Sequence, residues 1–115
     1  MTVTSIDAAA PASGIRPRHH HVAIIGAGFG GLGAAIKLVG AGFDDIVVFE
    51  RESEVGGTWW VNTYPGAQCD IPSALYSFSF APNPDWTRLY PLQEELHAYM
   101  RDTADKFDVT KYIRF

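Results

Sequence analysis

The sequence predicts an α/β fold built on a parallel βαβ unit, and three observations carry that prediction. Val22-Ala23-Ile24-Ile25 and Ile46-Val47-Val48-Phe49 are short apolar runs rich in β-branched residues. Such runs suit parallel strands buried on both faces. Between them Leu32, Ala35, Ile36 and Val39 recur at helical spacing and form an apolar stripe. Gly26, Gly28 and Gly31 fit the pattern G-x-G-x-x-G at the junction of the first strand and the helix.

Each part of the stretch from His21 to Glu50 has a physical task. Gly26 permits the tight turn, Gly28 lets the backbone approach a pyrophosphate, and Gly31 lets helix and strand pack closely. The helix N-terminus offers N–H groups without partners and a partial positive charge to phosphates. Gly42 falls where a left-handed helix stop is wanted. Glu50 ends the second strand at the distance, about 20 residues on, where an acidic residue receives ribose hydroxyls. A carboxylate there repels a 2′-phosphate, so FAD or NAD suits the site better than NADP. The pattern is specific because it follows a strand, opens a helix and is closed by an acid.

The chain has 115 residues, which allows one domain at most. A net charge of −4 gives no electrostatic reason to expect nucleic acid or an anionic membrane surface. The single cysteine, Cys69, excludes an internal disulfide and suits a reducing cytosol. No apolar run approaches the ~20 residues of a membrane span, and the N-terminus lacks the pattern of a secretory signal. The expected location is cytoplasmic. Residues 1–20 are small, polar and proline-containing, and read as a disordered lead-in. His19-His20-His21 has no Cys or carboxylate cluster around it, so a polar flank is expected there rather than a metal site.

After Glu50 comes a charged loop and a second glycine pair, Gly56-Gly57. An ordinary dehydrogenase would enter another helix here. The glycine pair suggests backbone returning along an extended cofactor, which favours FAD over NAD. Residues 58–91 carry Trp59, Trp60, Tyr64, Tyr76, Phe78, Phe80, Trp86 and Tyr90 among five prolines, Pro65, Pro72, Pro82, Pro84 and Pro91. Proline interrupts long regular elements, so an ordered irregular segment is expected, with one short helical turn near Ser73 to Tyr76. An amphipathic helix follows from Leu92 to Phe107, with Leu96, Tyr99, Met100 and Ala104 on its apolar face. It is expected to be scaffold without chemistry. Tyr112 to Phe115 reads as the start of a third strand, and the expectation is therefore an incomplete domain over residues 21–115.

By Asp70 a family resemblance is specific. Gly56-Gly57-Thr58-Trp59, Tyr64-Pro65-Gly66-Ala67-Gln68-Cys69-Asp70 and Ile71-Pro72-Ser73 to Phe80 follow the dinucleotide fingerprint in order. This run resembles the N-terminal FAD-binding portion of class B flavoprotein monooxygenases, which include Baeyer–Villiger and flavin-containing monooxygenases. The resemblance implies a partial Rossmann-like FAD-binding domain. It implies that Gly26, Gly28, Gly30 and Gly31 line the pyrophosphate, and that Glu50 holds the adenosine ribose. Thr58, Trp59, Trp60 and Val61 would run beside the ribityl and flavin portion, Asp70 and Ile71 near the isoalloxazine ring, and Tyr76 against the cofactor. Many Baeyer–Villiger members have Arg where this chain has Gln68.

The implied activity is that of an NADPH-dependent monooxygenase. It takes a small-molecule substrate and O2, and inserts oxygen beside a ketone or oxygenates soft N or S through a C4a-peroxyflavin. No catalytic residue is expected within the chain, and the NADPH domain of such enzymes lies further along. The alternative is a non-catalytic truncated remnant that binds FAD or nucleotide weakly. Plainer roles also fit some residues: Asp70 as a cap of the turn into Pro72 and Ser73, Tyr76 as packing, and Cys69 as a small buried apolar group. An NAD-dependent dehydrogenase fits poorly, because the second glycine pair and aromatic loop do not belong there. A disulfide oxidoreductase is excluded by the single cysteine.

Overall fold

The computed structural model describes residues 18–115. The lead-in expected over residues 1–20 falls almost wholly outside the described residues. Strand β1 (Val22–Ile25) runs into helix α1 (Phe29–Gly40), which returns the chain to strand β2 (Ile46–Phe49). A one-turn helix, α2 (Thr58–Val61), and a long irregular segment precede helix α3 (Gln93–Lys106). A 3₁₀ turn (Thr110–Tyr112) then leads into the two-residue strand β3 (Ile113–Arg114). The three strands form one parallel sheet in the order β1-β2-β3. Val22 pairs with Ile46, Ile25 with Phe49, and Val48 with Ile113.

The α1 stripe behaves as its spacing predicts, with Leu32, Ala35 and Ile36 buried and Val39 packed at the margin of the core. The helix stops in a Schellman motif: Gly42 donates to Val39 O at 3.0 Å and Phe43 to Leu38 O at 2.9 Å. Gly42 has φ +91°, as such a stop requires. The core joins this stripe to Ile46 and Val48 of β2, Leu96 and Met100 of α3, and Val55, Val109 and Ile113.

The close fit of α1 on β1 turns on Gly31. A Cβ at Gly31 would overlap the carbonyl oxygen of Gly26 and meet Ile24 Cγ2 at 3.5 Å. No side chain larger than hydrogen lets the helix lie this near the preceding turn.

Several expectations require correction. β1 is not buried on both faces, because Ala23 and Ile25 are exposed and Ile25 retains 83% of its accessible surface. It is the edge strand of the sheet, and only its Val22 and Ile24 face packs on the core. β2, between two strands, keeps Ile46, Val47 and Val48 buried, as expected. The segment near Ser73 to Tyr76 holds turns and no helix, closed by Leu75 N–H to Pro72 O and Tyr76 N–H to Ser73 O. The helical turn lies instead at Thr58–Val61, started by Gly57 at φ +54°. Tyr112 ends the 3₁₀ turn, so the third strand begins one residue later than expected.

The irregular segment is ordered by its aromatic rings and a few backbone bonds. Gln68 and Leu92 form an antiparallel bridge, and Cys69 N–H donates to Pro91 O at 2.9 Å. The Tyr99 hydroxyl accepts from Phe78 N–H and donates to Ala81 O, each at 2.8 Å. Phe78 stacks on Phe80 at 4.9 Å and Phe29 meets Tyr76 edge-on at 5.2 Å. Cys69 is buried and free.

The histidine run meets one carboxylate, that of Asp45. His20 Nδ1 bonds to Asp45 Oδ1 at 3.0 Å, and Asp45 Oδ2 accepts from His21 N–H at 3.2 Å. These contacts join the leading ends of β1 and β2. The His20 bond is the main cause holding the Asp45 carboxyl below its ordinary 3.8. Asp45 therefore binds a proton less readily in the folded than in the unfolded chain. Its stabilising contribution is present above the unfolded value and is lost as pH falls through the folded one. The group is exposed, so the effect is small.

Two stability measurements check these points. Gly31→Ala should destabilise the chain by about 3 kcal/mol in urea unfolding, because α1 must move off the turn. Gly30→Ala, with nothing within 4 Å of the added methyl, should be neutral or stabilising by about 0.5 kcal/mol. For Asp45→Asn, the gap in unfolding midpoint from the wild type should narrow between pH 6 and pH 3. A gap that widens on acidification would contradict the His20–Asp45 contact.

Candidate functional site

The carboxyl ends of all three strands open into one groove of about 780 Å³. Its wall combines Ile25 and Gly26 from the end of β1, Gly28 at the start of α1, and Phe49 and Glu50 from the end of β2. Arg51, Glu52, Gly57, Thr58, Val61, Arg114 and Phe115 complete it. Open parallel sheets bind ligands at this edge because the loops diverge there and helix N-termini point into the crevice. The volume lies within the range of about 300–1,000 Å³ common for small-molecule sites.

Three features give the groove its chemistry. α1 begins at Gly28 with no side-chain cap and no acidic residue in its first turn. The first N–H groups of a helix have no intrahelical acceptor, so this end is available to an anion. The second feature is the contact of Gly28 with Gly57: a Cβ on Gly57 would lie 3.0 Å from Gly28 Cα. Two loops distant in sequence thus meet backbone to backbone, and Gly56 N–H donates to Ala27 O at 3.0 Å beside them.

The third feature is the Glu50 carboxylate. Oε2 accepts from Ala27 N–H at 2.6 Å and Oε1 from Glu52 N–H at 2.8 Å. One side chain therefore ties the glycine turn to the loop after β2 and is itself held in a defined direction. Each carboxylate oxygen has capacity for a second donor, so the group can still receive hydroxyls from a ligand. Arg51 and Arg114 supply positive charge on the same wall, and Arg51 Nε also bonds Glu52 at 3.0 Å.

Of the residues singled out from the sequence, Gly26, Gly28, Glu50, Thr58 and Val61 line the groove together. Gly30 and Gly31 lie in the first turn of α1, Gly30 toward open space and Gly31 against the Gly26 carbonyl. Trp59 is buried in the core, and its indole N–H donates to the Tyr76 hydroxyl at 3.1 Å. Trp60 packs on His97 at 5.2 Å. Asp70 and Ile71 are exposed on the irregular segment, and Tyr76 is half-buried against Phe29 and Trp59.

Sequence reasoning missed Ile25, Phe49, Arg51, Glu52, Arg114 and Phe115 as wall residues. A sequence signal existed for some of them, since residues directly after parallel strands sit at the ligand edge.

A family model described as an NAD(P)-binding Rossmann-like domain matches residues 24–91. The chain belongs to that family. This Rossmann-like chain is 56% identical over 97 residues to a Baeyer–Villiger monooxygenase of Streptomyces coelicolor, covering 84% of the chain and 19% of the relative. It superposes on a structure of an oxidized steroid monooxygenase bound to NADP with a TM-score of 0.78 and 42% identity, over 82% of this chain and 19% of that one. A structure of OTEMO in complex with FAD and NADP gives a TM-score of 0.79 at 32% identity, over 87% and 20% of the two chains. The resemblance to flavoprotein monooxygenases read from the motifs is met by these relatives. The chain spans about a fifth of their length. Among the described residues no helix is long and apolar enough to cross a membrane.

The Glu50 bridge makes a testable demand on stability. Glu50→Ala leaves the Ala27 and Glu52 N–H groups without their acceptor. It should cost about 1.5–3 kcal/mol in urea unfolding at neutral pH, the range for hydrogen bonds to a charged group. Glu50→Gln keeps one acceptor oxygen and should lose less. Equal stability of all three proteins would show that the bridge carries no weight.

Proposed function

We propose that this chain supplies the FAD-binding portion of an NADPH-dependent flavin monooxygenase, with residues 21–115 forming that part of the domain. The observation that carries the reading is the joint presence, in one groove, of an uncapped α1 N-terminus and the backbone-held Glu50 carboxylate. The Gly28–Gly57 contact adds room for a phosphate chain to lie against backbone. An anion at one position and a diol at the next is the pattern of a dinucleotide's pyrophosphate and ribose. The monooxygenase relatives make FAD the ligand of choice, and the charge of Glu50 disfavours a 2′-phosphate at this position.

In this reading Gly26, Gly28, Gly30 and Gly31 present the α1 N-terminus to the pyrophosphate, and Glu50 orients the adenosine ribose. Thr58 and Val61 border the continuing cofactor, with Trp59 and Trp60 supporting them from behind. Asp70, Ile71 and Tyr76 belong to the flavin end. A flavin held there would supply hydride acceptance from NADPH and activation of O2, toward a small organic substrate such as a ketone or a soft N or S centre. This chain's part is to bind, to orient and to keep water from the cofactor's buried edge. Its single free cysteine, Cys69, and its net charge of −4 support a cytoplasmic setting without nucleic-acid partners. The alternative, a non-catalytic remnant that at most binds FAD or nucleotide weakly, would be refuted by purified chain oxidising NADPH at a substrate-dependent rate.

Titration of the purified chain with FAD, followed by quenching of flavin fluorescence, tests the reading. Saturable quenching is expected, and its absence at high micromolar FAD would overturn the proposal. Glu50→Ala should weaken binding by at least about tenfold, the equivalent of ~1.4 kcal/mol. Unchanged affinity would remove Glu50 from the site while leaving the groove in place.

A further inference from the structure

Helix α3 lies away from the groove, yet two of its polar side chains reach the loop that forms one wall. Gln93 is buried and its Nε2 donates to the carbonyl of Trp59 at 2.5 Å. His97, one helical turn on, places Nε2 3.1 Å from the carbonyl of Val55. Residues four apart share a helix face, so the two form a pair of anchors on one line. Their acceptors flank the glycine pair: Val55 immediately before Gly56-Gly57, Trp59 two residues after. The His97 ring also stands against Gly56, where an added Cβ would meet its Cδ2 at 2.9 Å, and it packs on Trp60 at 5.2 Å.

Because a carbonyl only accepts, His97 Nε2 must carry a proton in this contact. The bond is thus available from the neutral ring in one tautomer. Beyond the anchors the path is continuous. Gly56 N–H donates to Ala27 O, Gly57 lies on Gly28, and Ala27 N–H donates to Glu50. Among the described residues, Gln93 and His97 are the partners of the Trp59 and Val55 carbonyls.

We propose that Gln93 and His97 are positioning residues for the cofactor groove: α3 clamps the Gly56-Gly57 loop against Gly28 and so sets the wall that a bound dinucleotide meets. This rests on the flavin reading for its ligand, but the clamp itself is a property of the chain without ligand. Neither residue touches the groove, so both act through the loop. The buried Thr103 of the same helix is satisfied by its own Tyr99 carbonyl, whereas Gln93 and His97 direct their polar atoms to carbonyls of the loop.

The experiment pairs two readouts on the purified chain. His97→Phe keeps a ring against Trp60 and Gly56 but removes the donor, while His97→Gln restores an N–H. Amide hydrogen exchange of the protein without ligand should show faster exchange at Gly56, Trp59 and Trp60 in His97→Phe, with the β1–β2 amides unchanged. His97→Gln should return exchange toward the wild type. Flavin-quenching titration should show about five- to tenfold weaker FAD binding in His97→Phe, the scale of one neutral hydrogen bond, with recovery in His97→Gln. Gln93→Leu should act in the same direction. Unchanged loop exchange in His97→Phe would overturn the clamp. Faster exchange with unaltered FAD affinity would overturn its role in positioning. Should the wild type bind no FAD, the flavin reading fails, and the exchange data still decide the clamp.

Discussion

The approach of α1 to the turn that precedes it is the contact on which the site depends. At Gly31 the helix backbone lies so near the Gly26 carbonyl that no Cβ fits between them. That proximity sets where the helix begins relative to the end of β1. It thereby aims the uncapped N–H groups of α1 into the space above the sheet. Move the helix outward and the anion-binding end, the Gly28–Gly57 contact and the Ala27–Glu50 bond all lose their common geometry. Favourable dispersion from Leu32, Ala35 and Ile36 holds the helix in place, but the glycine decides how close it comes.

Around that contact the groove is assembled from separate pieces of chain, and hydrogen bonds to backbone groups join them. Glu50 links the end of β2 to the glycine turn. The Gly56 amide links the second glycine loop to Ala27. Gln93 and His97 link that loop to α3. Each link uses a group that would be costly to bury alone and is satisfied by a backbone partner. This is a stiff arrangement, because moving any one piece leaves at least one donor or acceptor without its mate. A preorganised groove favours a ligand whose phosphates and hydroxyls match fixed positions.

The aromatic segment serves the same end from a distance. Its prolines prevent a regular element, so rings take over the task that a ladder of hydrogen bonds would otherwise perform. Phe29, Tyr76, Phe78 and Tyr99 form a contiguous cluster, and the Tyr99 hydroxyl bonds two backbone groups across it. Phe29 lies in the first turn of α1, so this packing buttresses the same helix end that faces the groove. α3 therefore supports the site twice, through Tyr99 beneath α1 and through Gln93 and His97 beneath the second glycine loop.

Residue type and spacing were enough for the local chemistry. The βαβ unit, the helix stop at Gly42, the long helix near residue 93 and the acid at Glu50 were all legible, because each depends on residue type and spacing within a few turns of chain. So was the resemblance to flavoprotein monooxygenases, carried by motifs in a fixed order. Tertiary structure alone decided which faces are covered and which distant groups meet. β1 has an exposed face because nothing among the described residues packs over Ala23 and Ile25, a fact of tertiary packing that Val22-Ala23-Ile24-Ile25 cannot encode. The helical turn at Thr58–Val61 depends on Gly57 adopting a positive φ where it packs on Gly28. The roles of Gln93 and His97 were hidden for the same reason: their partners are carbonyls 34 and 42 residues away. A backbone carbonyl is identical at every position in the sequence, so only the folded chain shows which one a side chain reaches.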